Sequence, residues 1–357
     1  MKVVLLHCYS ADNAGDGLLV DEAIQLVRSA LGDSVEFVLA ASHPETFTGI
    51  DARIVDSSPS VTGYDNEYRR LLRSLDDFDL VVGVGGGYLR AGYGLEAVKT
   101  LLVHGPQLRA AAHTVTPTLY LPQSVGPAAS VVRRILARAI GRIDAFYVRD
   151  DRSSADYATA KVRRTSDMAI LGAGQIQRKG LQVDPVPVLT VRAVRGKVGP
   201  LVLDLARQLG TFDGYIQSAT GGNDDVHAVT SLGARRLLPR SELMSEPGVH
   251  SRVVVAVRLH AALMAIRAGH FVIHLAYERK GFGAFHDLGL GVYVHNVNKF
   301  EPARVLRQVH RLLNNESERS SYAETVTVAL ARSSEARENL TRDLLTLVTP
   351  VEQRSSS

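Results

Sequence analysis

The side chains with most chemical promise follow apolar runs too short for helices. In the stretch Arg252 to Phe285, Arg258 and His260 come after the β-branched run Val253 to Val257 and beside Ala261 to Ala268, a set of good helix formers stopped by Gly269. Both therefore stand at the carboxyl end of a strand and the amino end of a helix, where open α/β sheets bind ligands. The unpaired N–H groups and positive dipole end of that helix favour an anion, and the Arg258 guanidinium adds a fork of donors suited to phosphate or carboxylate. The dipole disfavours a charged His260, but a bound dianion would reverse the preference. His260 is thus a candidate acid whose protonation follows substrate arrival. An Arg salt bridge and a buried histidine are the plainer alternative.

Other motifs repeat the pattern. Lys280 follows the strand Phe271 to Ala276 and precedes a glycine-containing stretch expected to be a loop flexible enough to close over a ligand, unless it is simply a solvated lysine. Arg149 follows Ala145 to Val148 and supplies a cation from another part of the chain, the alternative being a pair with Asp150 or Asp151. In DNAGDG, Asn13 and Asp16 suit sugar hydroxyls, or Asp16 a base, against ordinary helix capping. Gly86 and Gly87 in GVGGGYLR let backbone approach a guest, or merely serve a sharp turn, and Gln123 and Ser124 in LPQSVGP follow a further strand.

Several chemistries are excluded. Tyr88 stands where a dinucleotide fingerprint needs its third glycine, and no Walker pattern occurs. Asp77 and Asp79 spell D-x-D but precede an apolar strand and read as turn residues. Without HExxH, EF-hand or clustered His and Cys, no metal and no cofactor is expected. Arg134, Arg138 and Arg142 form a basic stripe whose favoured reading is a solvated helix face, with membrane-surface docking second.

The elements that must position these groups alternate. Strands are expected at Val3 to Leu6, Val35 to Leu39, Arg53 to Val55, Asp79 to Val84, Thr118 to Leu121, Ala145 to Val148 and near Arg163 to Ala169. Helices fall between them, at Tyr64 to Leu75, Leu95 to Ala112 and Val131 to Ile140 among others. A second series adds strands at Leu189 to Val194, Asp213 to Ser218, Val253 to Val257, Phe271 to Ala276 and Val292 to Val294, a helix near Leu201 to Leu209, and closing helices Pro302 to Leu313 and Ser317 to Val348, one of which crosses back. Such repetition implies α/β architecture with parallel sheets covered on both faces. The expected domains are 1–180 and 189–350, two Rossmann-like units facing across a cleft, joined by a proline-rich linker at 181–188 and followed by a disordered tail at 351–357.

Composition agrees with a soluble protein of about two domains. The chain has 357 residues, 45% hydrophobic and 22% charged, and its formal charge of +4 is a weak argument for a nucleic-acid partner that a localised anion site explains as well. A single cysteine, Cys8, permits no internal disulfide and suits a reducing compartment. The amino-terminal apolar run lacks a cleavage pattern and no run approaches the ~20 residues of a membrane span, so the expected address is the cytoplasm, with its membrane face left open.

In this order NAGD, GGG, PQSVGP, VRD, RLHA and AYERKGF resemble the polysaccharide pyruvyltransferase family. The resemblance implies a GT-B-like fold, acceptor in the first domain and donor in the second. It implies transfer of a pyruvyl group from phosphoenolpyruvate to two hydroxyls of a sugar or polysaccharide precursor at the cell envelope, the acceptor free or lipid-linked. It also ties Arg149, His260 and Lys280 to donor binding or catalysis. Pro122, Arg90 and Gly17 depart from the family's usual residues. The residues fit this chemistry on their own terms: the nearly three negative charges of phosphoenolpyruvate match Arg149, Arg258, Lys280 and a helix amino end. The rivals are a glycosyltransferase using a nucleotide sugar and a non-catalytic anion-binding protein on the same scaffold.

Overall fold

The structure, a computed structural model, describes all residues except 62, 93, 175, 177–181, 194–196, 219–224, 245–249 and 350–357. The expected tail at 351–357 and the GGND loop at 221–224 lie outside the described residues. The chain forms two compact units: Met1–Ala11 and Asp16–Met168 with the last helix from Glu335, and Asp12–Gly15 with Ala169–Ser334.

The first unit begins β1 (Lys2–Cys8), α1 (Ala14–Leu31), β2 (Glu36–Ala41), β3 (Arg53–Asp56), α2 (Asn66–Arg73), β4 (Leu80–Gly83), β5 (Gly86–Ala91) and α3 (Gly94–Lys99). A π-helical turn at Thr100–His104 joins α3 to α4 (Gly105–Ala111), and β6 (Thr118–Ala128), α5 (Ser130–Ile140), β7 (Ala145–Val148), α6 (Asp151–Asp156) and β8 (Val162–Arg164) follow. The strands are parallel throughout, in the order β3-β2-β1-β4-β6-β7-β8 with β5 against β6. All four residues of β4 and of β7, and all of β1 after Lys2, are buried, as a sheet covered on both faces requires.

After α7 (Met168–Leu171), the second unit adds β9 (Val188–Thr190), α8 (Pro200–Leu209), β10 (Asp213–Tyr215), α9 (Val226–Thr230), β11 (Leu237–Leu238), α10 (Arg240–Met244) and β12 (Val253–Ala256). It continues through α11 (Leu259–Arg267), β13 (Phe271–Ala276), α12 (Arg279–Asp287), β14 (Val294–Asn296), α13 (Pro302–Asn314) and α14 (Glu316–Val348). Its parallel sheet runs β11-β10-β9-β12-β13-β14. The proline-rich segment around Val183 is held to this unit by a parallel bridge to Ser251 and by Asp184 N donating to Ser251 O. From Glu335 on, α14 belongs to the first unit, where Arg337 bonds Glu22 at 3.1 Å and Asp343 accepts from Tyr147. Among the described residues no helix is long and apolar enough to cross a membrane.

Four local expectations change. The glycine run is not only a turn: Gly86 starts β5, which pairs with the distal half of an unexpectedly long β6, Gly86 beside Gln123 and Leu89 beside Val125. The KGFGAF stretch is the helix α12, not a flexible loop, because Gly281 packs on β13 where a Cβ would meet Ala276 Cβ at 2.9 Å and the His274 ring. Residues 163–169 divide between β8 and α7 rather than forming one strand. The last strand starts only at Val294, since Gly291–Tyr293 is a 3₁₀ turn.

Candidate functional site

In the first unit the candidate groups gather past the ends of β4 and β7 and beside the middle of β6, where Gln123 pairs with Val148. Arg149, one residue past β7, is buried at 3% exposure and receives its place from three bonds. Its N–H donates to Gln123 O at 2.9 Å, its Nε to Ser124 Oγ at 3.0 Å, and its Nη1 to the carboxylate of Asp167, itself 2% exposed. The partner is Asp167, not Asp150 or Asp151. Asp150 instead caps α6 through Ser153 N at 2.9 Å, and Asp151 pairs with Arg164 at 3.0 Å. Arg149 Nη2 is buried and has no hydrogen-bond partner among the described residues. An unsatisfied buried donor of this kind is costly, and a ligand oxygen would satisfy it.

Gln123 is fully buried and its Nε2 donates to Val84 O at 2.7 Å, tying the PQS motif to the glycine run. Gly86 is buried and Gly87 half-buried beside it. At Gly83 a Cβ would stand 2.5 Å from the Tyr120 ring, so the backbone there packs closely on a side chain of the same unit. Asp16 lies half-buried in the first turn of α1, where its charge suits the dipole.

The same strand ends hold a group that sequence reasoning passed over. His7, at the carboxyl end of β1, adopts φ 68°, a left-handed conformation rare for a non-glycine residue. Its N–H donates to Gln107 Oε1 at 2.6 Å, its Nε2 lies 2.9 Å from Tyr120 OH and its Nδ1 3.3 Å from His104 Nδ1, while its ring stacks on Tyr88 at 4.6 Å. Burial holds His104 down to about 3 and His7 well below its ordinary value, so both are neutral near pH 7. Tyr88 follows the glycine run directly, so this cluster fixes the run's far end. Only the histidine at a strand terminus hinted at it.

In the second unit the structure brings Asn13, Gly15, Arg258 and His260 together. Asn13 bridges Ser218 in antiparallel fashion, and its Oδ1 accepts from Gly15 N at 3.3 Å, a capping bond at the start of α1. Ser218 O accepts from Asp225 N at 2.9 Å, and Asp225, fully buried, holds Arg258 in a two-pronged pair at 2.5 and 2.7 Å. Arg258 is the N-cap of α11, so His260 falls in the first turn, half-buried. Gly15 lies against the His260 imidazole: a Cβ at 15 would stand 2.5 Å from His260 Cβ.

Lys280 sits in the first turn of α12, with Nζ 3.0 Å from Glu278 Oε2. Arg192, beyond β9, donates to Tyr277 OH at 2.7 Å in the same motif as Lys280. Each sequence-selected cation therefore carries a carboxylate partner: Asp167, Asp225 or Glu278. The sequence motifs include neither Asp167 nor Asp225; Asp167 lies three residues past β8, and Asp225 is the N-cap of α9. Among the described residues no three His, Cys, Asp or Glu side chains are grouped to hold a metal ion.

Comparison with solved structures extends the fold. An apo structure of OtsA superposes with TM-score 0.58 at 9% identity, covering 98% of this chain and 100% of that one. An alpha-glucosyltransferase in complex with UDP gives 0.55 at 11% identity, covering 97% and 100%. Os79 from O. sativa, also in complex with UDP, gives 0.53 at 11% identity, covering 98% and 100%. At such identity the likeness is one of fold, a GT-B-like pair of Rossmann-like units. No curated protein sequence matches significantly. The sequence model of the polysaccharide pyruvyl transferase family does match, over residues 13–279, a span that runs from Asn13 to Arg279, the residue before Lys280. On that match the chain belongs to the polysaccharide pyruvyl transferase family.

Proposed function

We propose that this protein moves a pyruvyl group from phosphoenolpyruvate to two hydroxyls of a sugar in a polysaccharide or its precursor, forming a ketal and releasing phosphate. One observation carries the reading: NAGD, GGG, VRD, RLHA and AYERKGF stand at or within a few residues after the carboxyl ends of the parallel strands β1, β4, β7, β12 and β13, and PQSVGP runs along the second half of β6. That is where open α/β sheets bind ligands.

In this reading Arg149, Arg258 and Lys280 bind the donor, with Asp167, Asp225 and Glu278 orienting them in advance. The buried Nη2 of Arg149 takes a donor oxygen. His260 gives a proton to the methylene carbon of phosphoenolpyruvate, turning it into a methyl group and the adjacent carbon into an oxocarbenium-like electrophile. One acceptor hydroxyl adds there and passes its proton to a base, for which Asp16 is the candidate. The C–O bond to phosphate breaks, and the second hydroxyl closes the ketal, its proton returning to the protein or leaving with phosphate. Asn13, Gly86, Gly87, Gln123 and Ser124 shape the sites for donor and acceptor.

The test is incubation with phosphoenolpyruvate and a glycan panel, following phosphate release and the mass gain of one pyruvate ketal. Thermal shift with phosphoenolpyruvate against nucleoside diphosphates separates the rival: stabilisation by UDP alone would favour glycosyl transfer.

A further inference from the structure

One face of the first unit differs from the rest of the chain. Residues 94–143 hold six lysines and arginines against a single acid, Glu96, a local charge of +5 where the whole chain carries +4. Arg109, Arg134, Arg138 and Arg142 are exposed and take part in no ion pair among the described residues. Arg142 instead lies 2.6 Å from the ring nitrogen Nε2 of His113.

Arg109, Arg138 and Arg142 line a cavity of about 590 Å³. The buried side chains of Leu89, Leu108 and Leu136 close its inner side, and the exposed Leu101 and Ile135 stand at its mouth beside Arg138. Exposed aliphatic surface continues outward, with Val131 at 68%, Val98 at 52%, Ile135 at 50% and Leu101 at 43% exposure. Val131 and Ile135 are one helical turn apart on α5, as are Arg134 and Arg138, so α5 turns a mixed apolar and cationic edge outward. Leu136 and Ile140 on its other side are buried.

An exposed apolar patch rimmed by charge marks an interaction surface. Its uniform sign disfavours a second copy of the same face, since like charges would repel. Branched aliphatic side chains enter hydrocarbon readily but offer nothing for a nucleobase to stack on. We propose that this face docks on a bilayer surface carrying anionic lipid, with Arg134, Arg138 and Arg142 at the headgroup phosphates and Leu101, Val131 and Ile135 in the upper hydrocarbon. Leu89 belongs to β5, whose first residue is Gly86, so docking sets the glycine run within one short strand of the membrane. The docking surface is independent of the pyruvyl chemistry, and its test reads partition rather than turnover.

The full chain is floated with phosphatidylcholine vesicles and with vesicles that also contain phosphatidylglycerol, at low and high salt. It rises with the anionic vesicles only, and high salt releases it. Arg134→Gln with Arg138→Gln lowers partition roughly 25-fold, about fivefold for each arginine. Leu101→Ser with Ile135→Ser lowers it as well, while the melting temperature of both variants stays that of the parent because all four side chains are exposed. Equal partition onto neutral vesicles, unchanged partition of the arginine variant, or binding to duplex DNA in place of vesicles would overturn the proposal.

Discussion

Gly15 and the imidazole of His260 are packed so closely that only glycine fits at position 15, since a Cβ there would lie 2.5 Å from His260 Cβ and nearer still to the ring. Two motifs separated by most of the chain thus share one spot, and the glycine of NAGD sets where the histidine of RLHA points. Gly15→Ala should push the imidazole aside, costing about 1–3 kcal/mol of stability by overpacking and about 10²-fold in turnover by misplacement. Urea unfolding and phosphate release, measured together with Gly17→Ala, check this. At Gly17 a Cβ would approach Ala11 Cα only to 3.2 Å, so the smaller loss is expected there.

His260→Ala should lower turnover by about 10²–10⁴-fold, the usual worth of general acid assistance, with the folded state intact. His260 is half-buried in a helix whose remaining residues are mostly buried alanines and leucines, so truncation leaves that packing in place. Near-normal phosphate release from a folded variant would remove His260 from the chemistry.

The buried pair of Arg149 and Asp167 makes a prediction about stability as well as binding. Asp167→Asn leaves the Arg149 charge buried without its counter-ion and should cost about 3–5 kcal/mol in denaturant unfolding. Arg149→Lys supplies the charge but not a fork able to reach Ser124 and Asp167 at once. The expected result is a raised KM for phosphoenolpyruvate with a smaller change in kcat; equal loss in both would point away from donor binding.

Acid should unfold the protein through its buried histidines. Burial lowers His274 from 6.5 to about 4, against the opposing bond to Ala256 O at 2.7 Å, and the charge of Lys280 lowers it further. The unfolded chain therefore binds the proton first, so stability falls as pH drops from about 6.5 towards about 4, by about 3 kcal/mol for His274 alone. His7 and His104 act in the same sense and extend the loss to lower pH. A His274→Asn variant should show a shallower acid limb in unfolding free energy against pH; an identical limb would rule His274 out as a source.

How far these features were legible depends on whether they were local. The runs Val253 to Val257 and Phe271 to Ala276, the helix after Arg258 and the βα alternation follow from neighbouring side chains. Backbone conformation and one-face burial are decided over a few residues, and β12, α11 and β13 stand where periodicity puts them. Errors arose where a distant contact outweighed a local preference. Glycine reads as loop, yet Gly281 sits in a helix that packs closely on β13, where the His274 side chain and Ala276 occupy the room a Cβ would need and so demand glycine. Gly86 reads as turn, yet it begins a strand because Gln123 offers it a partner.

The amino-acid sequence by itself determined the alternation of strands and helices, the placement of polar motifs at strand ends and the family those motifs spell. Only the tertiary structure decided what each charged group meets. Asp225 is 33 residues from Arg258, Asp167 is 18 from Arg149, and Gly15 touches His260 across most of the chain. Such pairs depend on which strands lie side by side. In a parallel sheet that order is set by crossover connections and by burial of both faces, information no short window of residues contains.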